Sequence, residues 1–178
     1  VEEFDGVVVV DEAYIDFAEA ESLKTEIAEN ENLVVLQTMS KAWAMAGLRV
    51  GLALASELVV GLMSQVKYPY NINKAALQIV EQLLEESIDD KVAEIVEQRG
   101  VVAEKLAAMS FVSKVYPSDA NFVLVKVDDA DAIYEHLIAD GIIVRNRNRV
   151  RGCEDCLRIT IGTKQENEKL IKSLERYE

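Results

Sequence analysis

Four consecutive valines, Val7-Val8-Val9-Val10, constrain this chain more than any other feature. A continuous β-branched run has no polar face to turn toward water. It therefore reads as a strand covered on both sides, as in a parallel sheet. Leu33-Val34-Val35-Leu36 repeats the pattern, and Val50-Gly51-Leu52-Ala53-Leu54 echoes it more weakly. Residues 22–30, between the first two runs, are polar and suited to a helix. Strand, helix, strand over short connections is the βαβ signature, so this part of the chain is read as α/β.

From Asn73 the period changes. Ala76, Leu77, Ile79, Val80, Leu83 and Leu84 recur at helical spacing. A second helix is expected over residues 89–109 on Val92, Ile95, Val96, Val102 and Leu106, weakened but not ended by Gly100. After Ser110 strands are expected at 122–125, 141–144 and 157–161, with a helix at 130–139. A closing helix follows, capped reciprocally by Thr163 and Glu166. The expected division is residues 1–109, part of a mostly parallel-sheet domain with connecting helices, and residues 110–178, a small α+β domain. The chain starts at Val1 and runs almost at once into an apolar strand, so it is expected to begin partway through a larger protein.

Charge narrows the function classes. The 178 residues carry 32 Asp and Glu against 19 Lys and Arg, a net charge of −13. Nucleic acid and anionic lipid both require clustered positive charge on a surface, and neither is an expected partner. No apolar run approaches the ~20 residues that span a bilayer. Two cysteines do not make a disulfide framework, so a reducing cytoplasm is the expected setting. Cys153-Glu154-Asp155-Cys156 is a lone C-x-x-C without a second ligand pair, and the one histidine, His136, lies in a helical stretch and is read as helix surface or edge. No metal site is expected.

The chemistry concentrates in residues 36–51. This segment follows the carboxyl end of a predicted buried strand, where open α/β sheets place their ligands. Partial desolvation of a lysine there disfavours its charged form and makes the amine a usable nucleophile. Lys41 taken alone is an ordinary surface lysine. Thr38 and Ser40 flank it, however, and Arg49 follows a glycine, and hydroxyls, arginine and backbone N–H groups together grip phosphate. Asp11 and Tyr14 stand at the end of the first strand, which βαβ geometry sets beside the second.

Together Asp11-Glu12-Ala13-Tyr14, Thr38-Met39-Ser40-Lys41-Ala42 and Ala46-Gly47-Leu48-Arg49-Val50-Gly51 resemble the pyridoxal-phosphate aminotransferases of fold type I. Within that group the resemblance is greatest to the enzymes acting on histidinol phosphate. It extends to Pro69-Tyr70-Asn71-Ile72-Asn73, Ala120-Asn121-Phe122 and Leu157–Thr163. It implies that Lys41 would form the Schiff base with pyridoxal 5'-phosphate and then shuttle the substrate α-proton. Asp11 would pair with the pyridine nitrogen, and Tyr14 would hydrogen-bond the ring oxygen. Thr38, Ser40 and Arg49 would hold the cofactor phosphate.

Five of the eight arginines lie between residues 145 and 158. Arginine suits bidentate capture of carboxylate or phosphate, and a strand's period of two puts Arg145 and Arg147 on one face. By the resemblance, Arg158 would bind a substrate α-carboxylate and Arg145 the substrate phosphate. Arg147, Arg149 and Arg151 are read as a solvated loop. The small-molecule substrates implied are histidinol phosphate and the glutamate/2-oxoglutarate pair, in histidine biosynthesis, with a homodimer as the parent assembly. Related readings are a threonine-phosphate decarboxylase, an aromatic or general amino-acid aminotransferase, and a folded fragment without catalysis. Members of this group are about twice as long, so a second half would complete the cofactor cup and the chain alone would turn over weakly. Residues 67–73 would lie near the subunit interface.

Overall fold

The two apolar runs form neighbouring parallel strands in the computed structural model, which describes residues 4–177. β1 (Val8–Asp11) pairs with β2 (Leu33–Thr38), from Val8 opposite Leu33 to Asp11 opposite Leu36. β3 (Gly51–Ala55) then pairs antiparallel with β2, Thr38 facing Gly51 and Val34 facing Ala55, so this sheet is mixed, in the order β1-β2-β3. Leu33, Val34 and Val35 are buried, each worth about 1.5–3 kcal/mol when fully removed from water. β1 departs from the expected two-sided burial. Val7 and Val9 are each 56% exposed, because β1 is the edge strand and one of its faces is uncovered.

The crossover from β1 to β2 contains no α-helix, correcting the expectation for residues 22–30. It holds 3-10 turns at Ile15–Phe17 and Leu23–Ala28. The second turn is six residues long, too short to repay helix nucleation. It begins with the Ser22 hydroxyl accepting from the Lys24 N–H and ends with the Glu29 and Asn30 N–H groups both donating to Glu26 O.

Two helices follow β3. α1 (Glu57–Val66) starts at the Ser56 cap and buries no side chain, leaving Leu58, Leu62 and Val66 exposed. α2 (Lys74–Leu83) is capped by Asn73, whose Oδ1 accepts from the Ala76 N–H at 2.8 Å. Its Ala76 and Val80 pack on Met39 and Val50, at the two ends of the segment that carries Lys41 and Arg49.

The chain divides into two compact units between Asp90 and Lys91, whereas the sequence pattern changes at Ser110. α3 (Asp89–Ala107) runs unbroken through Gly100, and its Val102 and Leu106 are buried in the core of the second unit. β4 (Val112–Tyr116), β5 (Phe122–Val127), β6 (Arg145–Asn146) and β7 (Cys156–Thr160) form an antiparallel sheet in the order β4-β5-β7-β6. α4 (Ala130–Ala139) and α5 (Lys164–Tyr177) contribute Ile133, Leu137, Leu170 and Leu174 to the same core. The capping box at α5 forms: the Glu166 N–H donates to Thr163 Oγ1 at 3.3 Å and the Thr163 N–H to Glu166 Oε2 at 2.8 Å.

One expectation in this unit is corrected. Residues 141–144 are not a strand. Gly141, at φ +71°, ends α4 in a Schellman motif, with the Gly141 N–H donating to Ile138 O and the Ile142 N–H to Leu137 O. Those donors are committed to closing the helix, and pairing with β7 begins at Arg145. His136 lies at the helix edge, half-buried. Its Nε2 lies 2.9 Å from Ser173 O, and its ring meets Tyr177 edge-on at 5.3 Å. The fully buried Ser173 hydroxyl donates to Asp140, which also pairs with Arg176 at 2.6 Å, tying α4 to α5. Among the described residues no helix is long and apolar enough to cross a membrane.

Candidate active site

Parallel pairing makes β1 and β2 leave their sheet at the same edge. The Glu12 N–H continues the ladder one step past β1, donating to Leu36 O at 2.8 Å. Asp11 and Tyr14 therefore emerge beside the end of β2, from which Thr38, Ser40 and Lys41 follow. Lys41 Nζ sits over the Tyr14 ring, 5.0 Å from its centroid. A cation held on the face of a phenol ring is attracted by the ring quadrupole, by about 0.5–1 kcal/mol where exposed. The structure thus brings together two residues separated by a whole crossover connection in the sequence.

The segment from Met39 to Val50 is a closed loop. The Met39 N–H donates to Val50 O at 3.2 Å, the Met45 N–H to Met39 O at 2.9 Å and the Ala44 N–H to Lys41 O at 3.0 Å. Thr38 Oγ1 accepts from the Ser40 N–H at 3.1 Å and donates to Val50 O at 3.4 Å. Ala44 and Arg49 both adopt left-handed backbone, φ +55° and +56°, a conformation that costs an L-residue roughly 1–2 kcal/mol. Arg49 is exposed, with Nη1 donating to Ala46 O at 3.1 Å. Asp11 is exposed too, its Oδ1 accepting from the Ala13 N–H at 3.0 Å. Ser40 and Lys41 are half-buried.

Sequence reasoning missed the residue that holds this edge together. Glu12 is 7% exposed and accepts three hydrogen bonds: from Ser22 Oγ at 2.6 Å, the Leu23 N–H at 2.7 Å and Gln37 Nε2 at 3.0 Å. Burial pushes its carboxyl up, but the hydrogen bonds from Ser22, Gln37 and Leu23 outweigh burial and hold it below its ordinary value. Its carboxylate thus joins β1, the crossover and β2, immediately beside Asp11. The available signal was the acid itself, set directly after a β-branched strand.

The second unit carries the arginines. Arg145 opens β6 and lies directly opposite Arg158 of β7. Directly opposed residues of antiparallel strands share a face with their Cβ atoms about 4.5–5.5 Å apart, and like charges so placed repel. The Arg158 guanidinium lies 4.9 Å over the Phe122 ring, and its Nε is buried without a hydrogen-bond partner. An orphaned guanidinium donor beside a second cation is suited to an anion. Arg149 and Arg151 are exposed and Arg147 is half-buried. The hairpin carrying them is pinned to α4, since both Asp131 oxygens accept, from Asn146 at 2.6 Å and Asn148 at 3.0 Å.

Comparison with known proteins bears on family and fold. The model of the aminotransferase class I and II family matches residues 1–174. The chain is 49% identical over 176 residues to the histidinol-phosphate aminotransferase of Flavobacterium johnsoniae, covering 98% of this chain and 50% of that protein. It is 45% identical over 178 residues to that of Bacteroides thetaiotaomicron, covering 99% and 51%. Among solved structures, the histidinol-phosphate aminotransferase of Clostridium acetobutylicum superposes with a TM-score of 0.88 at 25% identity, over 96% of this chain and 54% of that one. The L-threonine-O-3-phosphate decarboxylase of Porphyromonas gingivalis shares the fold, with a TM-score of 0.84 at 23% identity over 95% of this chain and 54% of that one. The chain spans about half the length of the curated relatives it matches. A lysine loop closed at the end of a parallel strand pair, and a family match from Val1 to residue 174, lead to one conclusion: the chain belongs to the aminotransferase class I and II family.

Proposed function

We propose that this chain carries the lysine-bearing part of a cytoplasmic, homodimeric transaminase dependent on pyridoxal 5'-phosphate. In this reading the whole enzyme exchanges an amino group between histidinol phosphate and the glutamate/2-oxoglutarate pair in histidine biosynthesis. The observation that carries the reading is the placement of Lys41 over Tyr14 at the joint edge of two parallel strands. The donor set fits the cofactor: a carboxylate for a cationic ring nitrogen, a phenol for a ring oxygen, and hydroxyls with an arginine for a phosphate. When bound, the cofactor supplies an electron sink for the bond broken at the substrate α-carbon.

The chain's own residues supply the rest. Lys41 Nζ would hold the cofactor covalently and would serve as the base that moves the substrate α-proton, with its amine resting over the Tyr14 ring. Asp11 holds a proton on the ring nitrogen through a charge-assisted hydrogen bond. The Tyr14 hydroxyl bonds the ring oxygen. Thr38, Ser40 and Arg49 take the cofactor phosphate, with the left-handed Arg49 presenting its head to solvent. On the second unit Arg158 takes the glutamate α-carboxylate, and Arg145 the phosphate of the phosphorylated substrate. Segment 67–73 exposes Tyr68 and Tyr70 at 84% and 93%, which suits cover by a second subunit.

The test is a cofactor titration followed by visible absorbance, then borohydride reduction and peptide mapping, with Lys41→Ala as control. The expected result is a label on Lys41 that the variant lacks. The titration is repeated with a polypeptide supplying the other half of a relative. Label scattered over surface lysines in that complemented sample refutes the assignment. Turnover by the chain alone is expected to be far below that of the complemented pair.

A further inference from the structure

The lone C-x-x-C has no part in that reading, and the structure shows how it is held. Between β6 and β7 the chain folds as three successive turns, closed by hydrogen bonds from the Val150 N–H to Arg147 O, the Cys153 N–H to Val150 O and the Cys156 N–H to Cys153 O, at 2.8, 2.8 and 3.1 Å. A β-turn holds its first and fourth Cα atoms within about 7 Å, and disulfides span Cα separations of about 4.4–6.8 Å. Asp155, third in the last turn, is left-handed at φ +54°, the conformation a type II turn demands at that place, and its N–H is fixed by Asn148 Oδ1 at 3.0 Å. The turn thus brings the two Cα atoms into or close to the range a disulfide spans.

The thiols are neighbours with unequal access. Cys156 is 1% exposed and its Sγ lies 3.5 Å from Glu154 O, toward the turn, while Cys153 is half-buried. Burial, and after it the neighbouring Cys153 thiol, push the Cys156 thiol up. Among the described residues no group of three or more His, Cys, Asp or Glu is placed to hold a metal ion.

We propose that Cys153 and Cys156 form a reversible dithiol–disulfide site that exchanges with small-molecule disulfides of the glutathione type. The Cys153 thiolate attacks one sulfur of glutathione disulfide, forming a mixed disulfide and releasing one glutathione thiolate. Cys156 gives up its proton, attacks Cys153 Sγ and expels the second glutathione. The two protein thiols are oxidised, and one glutathione disulfide is reduced to two glutathione molecules. The bridge locks the last of the three turns, at the entry to β7, so the modification acts within the loop whose other end carries Arg145 and Arg147. The inference holds whether or not the functional reading above is right.

The test uses the whole chain, equilibrated in buffers from pure reduced to pure oxidised glutathione, acid-quenched, alkylated and weighed intact. The expected product has no alkylatable thiol, a mass two hydrogens below the reduced chain, a mapped Cys153–Cys156 link, and full reversal by reduced glutathione. In Cys156→Ala the expected product is a stable glutathione adduct on Cys153, whereas Cys153→Ala stays a free thiol. A wild-type chain that keeps both thiols in pure oxidised glutathione overturns the proposal. So does one that stops at a glutathione adduct, or that links only between chains. The wild-type masses decide the matter even where a variant folds poorly.

Discussion

Replacing Glu12 by Gln tests whether the carboxylate behind Asp11 organises the strand edge. Glu12 receives three donors in a nearly water-free setting. Gln keeps the shape and one carbonyl oxygen, which can still serve the Leu23 N–H. It turns an NH2 toward Ser22 and Gln37, whose own donors then face a donor. Hydrogen bonds to a charged group contribute about 1.5–3 kcal/mol each, and Ser22 and Gln37 can reorient in part, so the expected loss is about 2–3 kcal/mol. The pH dependence carries the sign. Folding lowers the Glu12 pKa from its ordinary value of 4.5, so on acidification the unfolded chain takes up the proton first. The stabilisation is full above that value and disappears as pH falls toward the lowered folded value. Urea unfolding can be followed by the chain's one tryptophan, Trp43, which packs against the Met39, Val50, Ala76 and Val80 cluster of the same unit. The gap between wild type and Glu12→Gln should be widest near neutrality and narrow as the pH falls through and below the ordinary value of 4.5. A gap below about 0.5 kcal/mol, or one unchanged across that range, refutes the reasoning.

Two further outcomes concern the second unit. Arg145 and Arg158 repel across β6 and β7, so inorganic phosphate should stabilise that unit by about 2.7 kcal/mol at a hundred times its dissociation constant, where chloride at matched ionic strength does not. Arg145→Gln should remove the phosphate-specific part, as measured by urea unfolding at stepped phosphate concentrations. Gly141→Ala should cost about 1–2 kcal/mol, because φ is +71° while the added Cβ meets nothing nearer than Lys169 Nζ at 3.9 Å. Equal midpoints for wild type and variant in urea would show that the Schellman turn is not held in that conformation.

Elements defined by local pattern were legible in the sequence. The helix at 130–139 and the Thr163–Glu166 cap appear as read, because an N-cap acid, an apolar stripe and a capping box act within one or two turns. Expectations that depend on distant neighbours fared otherwise. The valine run at β1 says nothing of whether a covering layer exists on each side, and one side is open here. Residues 141–144 have strand composition, but the left-handed Gly141 spends their donors on closing α4. The Met39–Val50 loop stood out in the sequence because a lysine beside small hydroxyl residues, with an arginine beyond, is an unusual set for a loop. Glu12 was not, since what distinguishes it is three partners reached through folding. The opposition of Arg145 and Arg158 likewise follows from hairpin register, which a loop of this length does not fix in advance.

The first unit also shows how the candidate site residues can be exposed and still be placed. Asp11 and Arg49 meet solvent and Lys41 is half-buried, so little apolar contact holds the side chains themselves. What holds them is their backbone: Thr38 is paired with Gly51, the Met39 N–H bonds Val50 O, and Met39 and Val50 are anchored against Ala76 and Val80 of α2. Both ends of the lysine loop are therefore fixed in a packed cluster, and its middle is held by bonds from Ala44 and Met45 back onto Lys41 and Met39. Packed interiors resist displacement because every shift opens a void or a clash. A loop clamped in this way can present polar groups to a ligand without burying them, which keeps them available for chemistry. It also means that a cavity made in α2, at Val80, should disturb Lys41 sooner than a charge change on the loop's exposed surface, although Val80 lies far along the chain from the amine.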